Sequence, residues 1–213
     1  MNDRLLLDKM DVKTGHVIWE GIKYSLNDND FPTVDPKDPY TLTEEEKAVM
    51  KELRAAFLNS AQLQKHVKFL YEKGSMYRVF NGNLLYHGCI PFDAHGKFDR
   101  MEFDGKVYQG KAYLDYADSM AREAFLKKTP DAVDFMWFLW SGRKSPLCGR
   151  NIRTFERMFL DDERTWREES NPYYKFYHQE EVCNMILGEF GLHSETSHIV
   201  NGHTPVKTME GEQ

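Results

Sequence analysis

The runs Met76-Tyr-Arg-Val-Phe80 and Leu84-Leu-Tyr86 form the clearest structural signal in the sequence, because they flank Asn81-Gly82. An Asn-Gly pair tolerates the positive φ angles of a tight turn, so the two runs predict a β-hairpin. A second hairpin is predicted from Phe98 to Gln109 around Asp104-Gly105. Antiparallel strands are therefore expected in the middle of the chain.

Helical patterns surround these hairpins. Thr43 followed by Glu46 predicts a capping box, because each side chain can satisfy a free backbone N–H group of the other. Gly74 is predicted to end a second helix that follows the first. Further helices are predicted over Leu114–Phe125, Asp131–Trp140, Thr154–Phe159 and Glu180–Phe190. Because strands and helices interleave, the fold class is expected to be mixed α and β.

The chain is predicted to divide into four segments. Residues 1–26 suggest a small β-meander, with strands at Leu5–Leu7, His16–Trp19 and Ile22–Leu26. Residues 27–42 contain three prolines and suggest a turn-rich connector. Residues 43–73 form the helical pair, and residues 74–213 form an α/β portion. Any chemistry is expected in this last portion.

Composition excludes several classes of protein. The net charge of −6 argues against a general nucleic-acid binder. No apolar run approaches the ~20 residues of a membrane helix, and the N-terminus lacks the pattern of a signal peptide. The three cysteines are an odd number far apart in sequence, which favours reduced thiols in a cytoplasmic protein.

Two histidines occupy similar places in the predicted strands. His87 follows the apolar run Leu84–Tyr86, and His203 follows Ile199-Val200 within a Gly-His-Thr-Pro sequence. A neutral imidazole is a good ligand for Mn, Fe or Zn. A histidine at a strand end is more often a hydrogen-bonded structural residue, so both interpretations stay open at this point.

A basic stretch is the second candidate site. It contains Arg143, Lys144, Arg150, Arg153 and Arg157 within an acidic protein. Guanidinium groups match phosphate oxygens, so this stretch could hold a phosphorylated substrate. The alternative is an ordinary solvated surface.

An aromatic stretch, Asn171-Pro-Tyr-Tyr-Lys175, is the third candidate. Tyr173 and its neighbour could offer hydroxyl groups to a sugar. The alternative is an aromatic-rich turn.

Several stretches together resemble the class III fructose-1,6-bisphosphatases of bacteria. They occur in the order of that family and span most of the chain. The stretches are Phe31–Pro36, Leu63–His66, Lys73–Tyr77, Asn81–Pro91, Asp134–Trp137, Lys144–Pro146, Thr154–Arg157, Asn171–Lys175 and Asn201–Lys207. The resemblance implies part of a calcineurin-like metallophosphoesterase β-sandwich flanked by helices.

The resemblance also implies an activity, namely hydrolysis of the 1-phosphate of fructose 1,6-bisphosphate in gluconeogenesis. Two divalent metals, expected to be manganese, would activate the attacking hydroxide. His87 and His203 would bind the same one of these metals. The expected substrate contacts come from the basic stretch, the aromatic stretch and the end of Asn201–Lys207. They are Arg143, Lys144, Arg153, Tyr173 and Lys207.

The family pattern is incomplete in this sequence. No Asp-x-His, Gly-Asp-x-x-Asp or Gly-Asn-His-Asp/Glu motif is found before His87. We therefore expect a C-terminal portion of the domain, inactive by itself, whose partner is the missing N-terminal part; an oligomer is also compatible. Two alternatives are a non-catalytic module that binds a partner or a sugar phosphate, and another metallophosphatase that acts on proteins or dinucleotide polyphosphates.

Overall fold

The structure is a computed structural model that describes residues 5–193 and 195–203. It divides into two compact units. The first comprises the chain up to Gly74 together with Arg153–Arg167, and the second comprises Ser75–Ile152 together with the chain from Glu168. The described residues form three small sheets and seven α-helices, so the expectation of a mixed α and β fold is confirmed.

The first unit contains an antiparallel three-stranded sheet. Its strands are β1 (Met10–Asp11), β2 (His16–Trp19) and β3 (Ile22–Ser25). The prediction of a strand at Leu5–Leu7 is wrong, because the chain there enters a 3-10 turn at Leu7–Lys9. Leu6 instead packs into the core of the unit, where Val17, Trp19 and Leu160 bury their side chains. The apolar residues that suggested a strand thus serve this core.

Two helices follow in the same unit. Helix α1 (Glu44–Asn59) begins with the predicted capping box of Thr43 and Glu46, and Ser60 caps helix α2 (Ala61–Lys73) by accepting a hydrogen bond from the Leu63 N–H. Gly74 ends α2 as predicted. No residue of either helix is buried.

The second unit is built on a mixed three-stranded sheet. Strands β4 (Tyr77–Phe80) and β5 (Asn83–Tyr86) form the predicted hairpin, with φ values of 48° at Asn81 and 74° at Gly82. A two-stranded sheet follows, β6 (Met101–Phe103) and β7 (Lys106–Tyr108), which corresponds to the second predicted hairpin. The last strand of the mixed sheet, β8 (Ile199–Asn201), pairs with β5 in the parallel direction.

The remaining helices are divided between the two units. The second unit contains α3 (Gly110–Leu126), α4 (Pro130–Ser141), α6 (Tyr173–Phe176) and α7 (Glu180–Glu189), and the first unit contains α5 (Thr154–Phe159). Helix α3 packs against α4 and α7. The side chains that are almost fully buried in the second unit include Leu84, Ile90, Phe92, Tyr113, Leu114, Leu139, Tyr173 and Ile186. Leu84 of β5 belongs to this core, and β5 ends directly before His87.

Candidate metal centre

The parallel pairing of β5 with β8 brings the two candidate histidines together. Tyr86 lies opposite Asn201 in the register, so His87 and His203 both leave the sheet at the same edge. Nδ1 of His203 lies 3.0 Å from Nε2 of His87, and the ring planes are inclined at 72°. The His203 N–H donates to the His87 carbonyl at 2.8 Å. Backbone and side chain thus hold the two imidazoles as a pair.

The spacing of this histidine pair fits two ligands of one metal ion. With metal–nitrogen bonds of about 2.1 Å, right-angled to tetrahedral coordination separates two ligating nitrogens by about 3.0–3.4 Å. The observed separation of 3.0 Å lies at the lower end of that range, and in this structure it is the length of a hydrogen bond between the two rings. His87 is exposed and His203 half-buried, so an ion could reach both rings from one side.

Electrostatics favour the neutral form of His203. Burial lowers the pKa of its imidazole, and the neighbouring His87 and Arg150 lower it further, while a hydrogen bond to the main chain of Cys148 acts in the opposite direction. A lowered pKa keeps a nitrogen lone pair available at neutral pH. A hydrogen bond from the ring to a main-chain group is also the usual device that fixes the tautomer of a ligating histidine.

Asn201, two residues before His203, makes hydrogen bonds beside the histidine pair, although sequence reasoning gave this residue no separate role. Its side-chain amide donates to the Gly88 carbonyl and lies 3.4 Å from the Tyr173 hydroxyl. The Tyr173 hydroxyl in turn lies 2.7 Å from that of Tyr86. This network ties β5, β8 and α6 together. The available signal was an amide two residues before His203, and it cannot be interpreted without knowing the strand pairing.

Arg143 and Lys144 lie on a loop that is attached to the His87 segment. The Cys89 N–H donates to the Pro146 carbonyl at 3.0 Å, so the loop is hydrogen-bonded two residues after His87. Both cations are partly exposed and already face carboxylates, with Arg143 3.0 Å from Glu169 and Lys144 2.6 Å from Asp99. Their charge is therefore partly neutralised where they stand.

The other predicted substrate residues are placed differently. Arg153 belongs to the first unit, where its guanidinium pairs with Glu20 and with the fully buried Glu156 and lies over the Trp19 ring. Tyr173 is only 2% exposed, and its hydroxyl is used within the core. Lys207 lies outside the described residues. In this structure, both Arg153 and Tyr173 are engaged in internal contacts.

The described residues offer two metal donors and no more at this place. Among residues 5–193 and 195–203, no group of three or more His, Cys, Asp or Glu side chains is arranged to hold a metal ion. Cys89, two residues after His87, is a buried free thiol, and burial raises its pKa far above the usual range. Its thiol donates a hydrogen bond to the Ser145 carbonyl at 3.4 Å and is therefore engaged in an internal contact. Cys148 and Cys183 are also free, as predicted.

No helix in the described part of the chain is both long and apolar enough to cross a membrane.

Comparison with known proteins identifies the family. A family model described as Firmicute fructose-1,6-bisphosphatase matches residues 1–213. Similar curated proteins are named fructose-1,6-bisphosphatase class 3. The protein of Clostridium novyi (strain NT) is 51% identical over 218 residues, that of Clostridium botulinum (strain Alaska E43 / Type E3) is 50% identical, and that of Listeria innocua serovar 6a is 48% identical.

These alignments include 100% of this chain but 33% of each relative. The chain thus spans about one third of the length of the curated relatives that it matches. No solved structure shows a significant match to it. The family model nevertheless covers every residue of the sequence. The chain therefore belongs to the Firmicute fructose-1,6-bisphosphatase family.

Proposed function

We propose that this chain forms part of the active site of a fructose-1,6-bisphosphate 1-phosphatase, in which His87 and His203 are two ligands of one divalent metal, manganese. The observation that supports this assignment is the 3.0 Å separation of the two ring nitrogens at one sheet edge. When bound, the metal would supply Lewis-acid stabilisation of the phosphoryl oxygens and an activated water. This activity hydrolyses fructose 1,6-bisphosphate to fructose 6-phosphate and inorganic phosphate, a reaction of gluconeogenesis.

The residues of this chain would position the metal and hold the substrate phosphate. Asn201 fixes the end of β8 and so orients His203. Arg143 and Lys144 are the proposed phosphate contacts, because both are partly exposed and their loop is hydrogen-bonded to the His87 segment. A phosphate group would replace the carboxylates of Glu169 and Asp99 as their partners, since guanidinium and ammonium groups bind either anion.

The remaining ligands would come from another part of the family chain. Two imidazoles cannot fill the coordination shell of one metal, and still less that of two. We therefore propose that this chain is the C-terminal portion of a calcineurin-like metallophosphoesterase domain in a cytoplasmic enzyme, and that its upstream part supplies the rest. The isolated chain is then expected to release no phosphate.

The test replaces the matched region of the Clostridium novyi relative with this chain and measures manganese-dependent phosphate release from fructose 1,6-bisphosphate. The chimera is expected to be active and the isolated chain inactive. In the chimera, His87→Ala and His203→Ala should each reduce kcat/KM more than about 100-fold, because each removes a metal ligand. His193→Ala is the matched control, since it removes an exposed imidazole elsewhere in the second unit.

Robust turnover by the isolated chain would show that two ligands suffice and would contradict the proposal. So would an active chimera that tolerates both histidine substitutions.

A second candidate is a module without catalytic function that binds a sugar phosphate or a protein partner. It is favoured by the limited donor set, because no third metal ligand joins the histidine pair among the described residues. This candidate predicts that fructose 1,6-bisphosphate binds to the isolated chain equally well with and without manganese. The first function predicts no measurable binding of fructose 1,6-bisphosphate to the isolated chain, because its active site is incomplete, so isothermal titration calorimetry distinguishes the two functions.

A further inference from the structure

Helix α1 presents an apolar face that is more than half exposed in the described part of the chain. Val49, Met50, Leu53 and Phe57 lie on one face of α1 and are 51–66% exposed, and Leu70 of α2 is 63% exposed. We call the four side chains of α1 the helical apolar face. Each of these four side chains is more than half exposed, and a contiguous exposed apolar patch of this kind marks an interaction site.

The helices themselves are well defined by local contacts. Thr43 and Glu46 form a complete capping box, and Glu46 also accepts a hydrogen bond from Thr33 at 2.6 Å. Ser60 caps α2 through its side chain alone, which accepts a hydrogen bond from the Leu63 N–H. Such caps stabilise a helix but do not replace burial, since helices of 13–16 residues are marginal in water without tertiary packing. Because the caps do not supply this packing, we expect other polypeptide to cover the helical apolar face.

We propose that the helical apolar face is an interdomain docking surface, covered in the full-length family protein by the polypeptide that lies outside the matched region. The chain matches 33% of its curated relatives, so these relatives carry about twice as much polypeptide beyond the match. A covalently linked segment has an effective concentration near the millimolar range, well above that of a second copy in solution. The inference concerns packing and is independent of the proposed activity.

Hydrogen exchange at the backbone amides of α1 tests this assignment. The isolated chain is compared with the chimera in which this chain replaces the matched region of the Clostridium novyi relative. Amides of Glu44–Asn59 are expected to exchange at least about tenfold more slowly in the chimera, because covering the face suppresses local opening. Each protein is measured at two concentrations.

A pair of charge-matched variants makes the test specific to the face. Leu53→Lys places a charge at its centre, and Ala48→Lys places the same charge on the opposite, exposed side of α1 between Glu44 and Glu52. In the chimera, Leu53→Lys is expected to reverse the tenfold protection, whereas Ala48→Lys preserves it. In the isolated chain neither variant should accelerate exchange.

Three outcomes would overturn the assignment. One is equal exchange of α1 in the isolated chain and the chimera. Another is protection in the isolated chain that rises with concentration, which would make a second copy the occupant. The third is a chimera in which the two lysine variants behave alike. If the chimera does not fold, the same comparison uses the whole Clostridium novyi protein and its own matched region, with the same expected difference.

Discussion

Tyr173→Phe separates a structural role of this tyrosine from a role in binding substrate. The substitution removes one hydroxyl and keeps the ring, which packs against Phe92 at 5.4 Å and Tyr177 at 5.6 Å between centroids. The core therefore gains no cavity beyond one oxygen atom. What is lost is the 2.7 Å hydrogen bond to the Tyr86 hydroxyl, which is left without this partner in the core.

The size of the effect follows from these contacts. Leaving a buried hydroxyl unsatisfied costs about 1–3 kcal/mol. The 3.4 Å contact with Asn201 adds little, because the Asn201 amide also donates to the Gly88 carbonyl. We expect Tyr173→Phe to lower the free energy of unfolding by about 1–2 kcal/mol. Urea denaturation of the isolated chain, followed by near-UV circular dichroism, measures this change.

Tyr177→Phe is the matched control, because Tyr177 belongs to the same aromatic group but is 45% exposed. Loss of the Tyr177 hydroxyl should change the free energy of unfolding by less than about 0.5 kcal/mol. In the active chimera, Tyr173→Phe should leave KM for fructose 1,6-bisphosphate unchanged at temperatures where the protein stays folded. A raised KM together with unchanged stability would refute the structural assignment and favour direct contact between the Tyr173 hydroxyl and the sugar.

Two further predictions concern buried charge and a buried thiol. Glu156→Ala should destabilise the first unit by about 3 kcal/mol in urea denaturation, because it leaves the guanidinium of Arg153 without its buried carboxylate 3.0 Å away. Glu20→Ala removes an exposed partner of the same guanidinium and should cost less than about 1 kcal/mol. Equal effects of the two substitutions would contradict the argument from burial. Burial raises the pKa of the Cys89 thiol from an ordinary value of 9.0, so the unfolded chain loses this proton at a lower pH than the folded chain does. The free energy of unfolding should therefore fall as the pH rises above about 9, by up to about 1.4 kcal/mol per pH unit. Cys89→Ala should flatten that decline between pH 9 and 10, and an unchanged slope would show that the thiol plays no part in it.

Local structure was largely predictable from the sequence because its causes are local. Asn81-Gly82 produced the expected hairpin, and the Thr43–Glu46 capping box began the expected helix. The strand expected at Leu5–Leu7 failed for a physical reason. A short apolar run looks the same whether it forms a strand or contributes one side chain to a core, and here Leu6 does the latter.

The candidate site was predictable only in part, because its geometry arises from long-range pairing. The sequence marked His87 and His203 as strand-end residues, but no local pattern specified that β5 and β8 lie side by side. The same limitation applies to Tyr173, whose place in an aromatic stretch did not show which ring faces the core. Arg153 was grouped with its neighbours in sequence although its partners are Glu20 and Glu156.

The parallel pairing of β5 with β8 also determines when the histidine pair can form. His87 and His203 are 116 positions apart, and a contact between residues so distant in sequence closes a long loop, which is a slow event in folding. During synthesis at about 5–20 residues per second, His87 is made on the order of 10 s before His203. An ion that needs both imidazoles can therefore bind only after translation has passed residue 203. Until then, the edge of β5 that pairs with β8 has no partner strand.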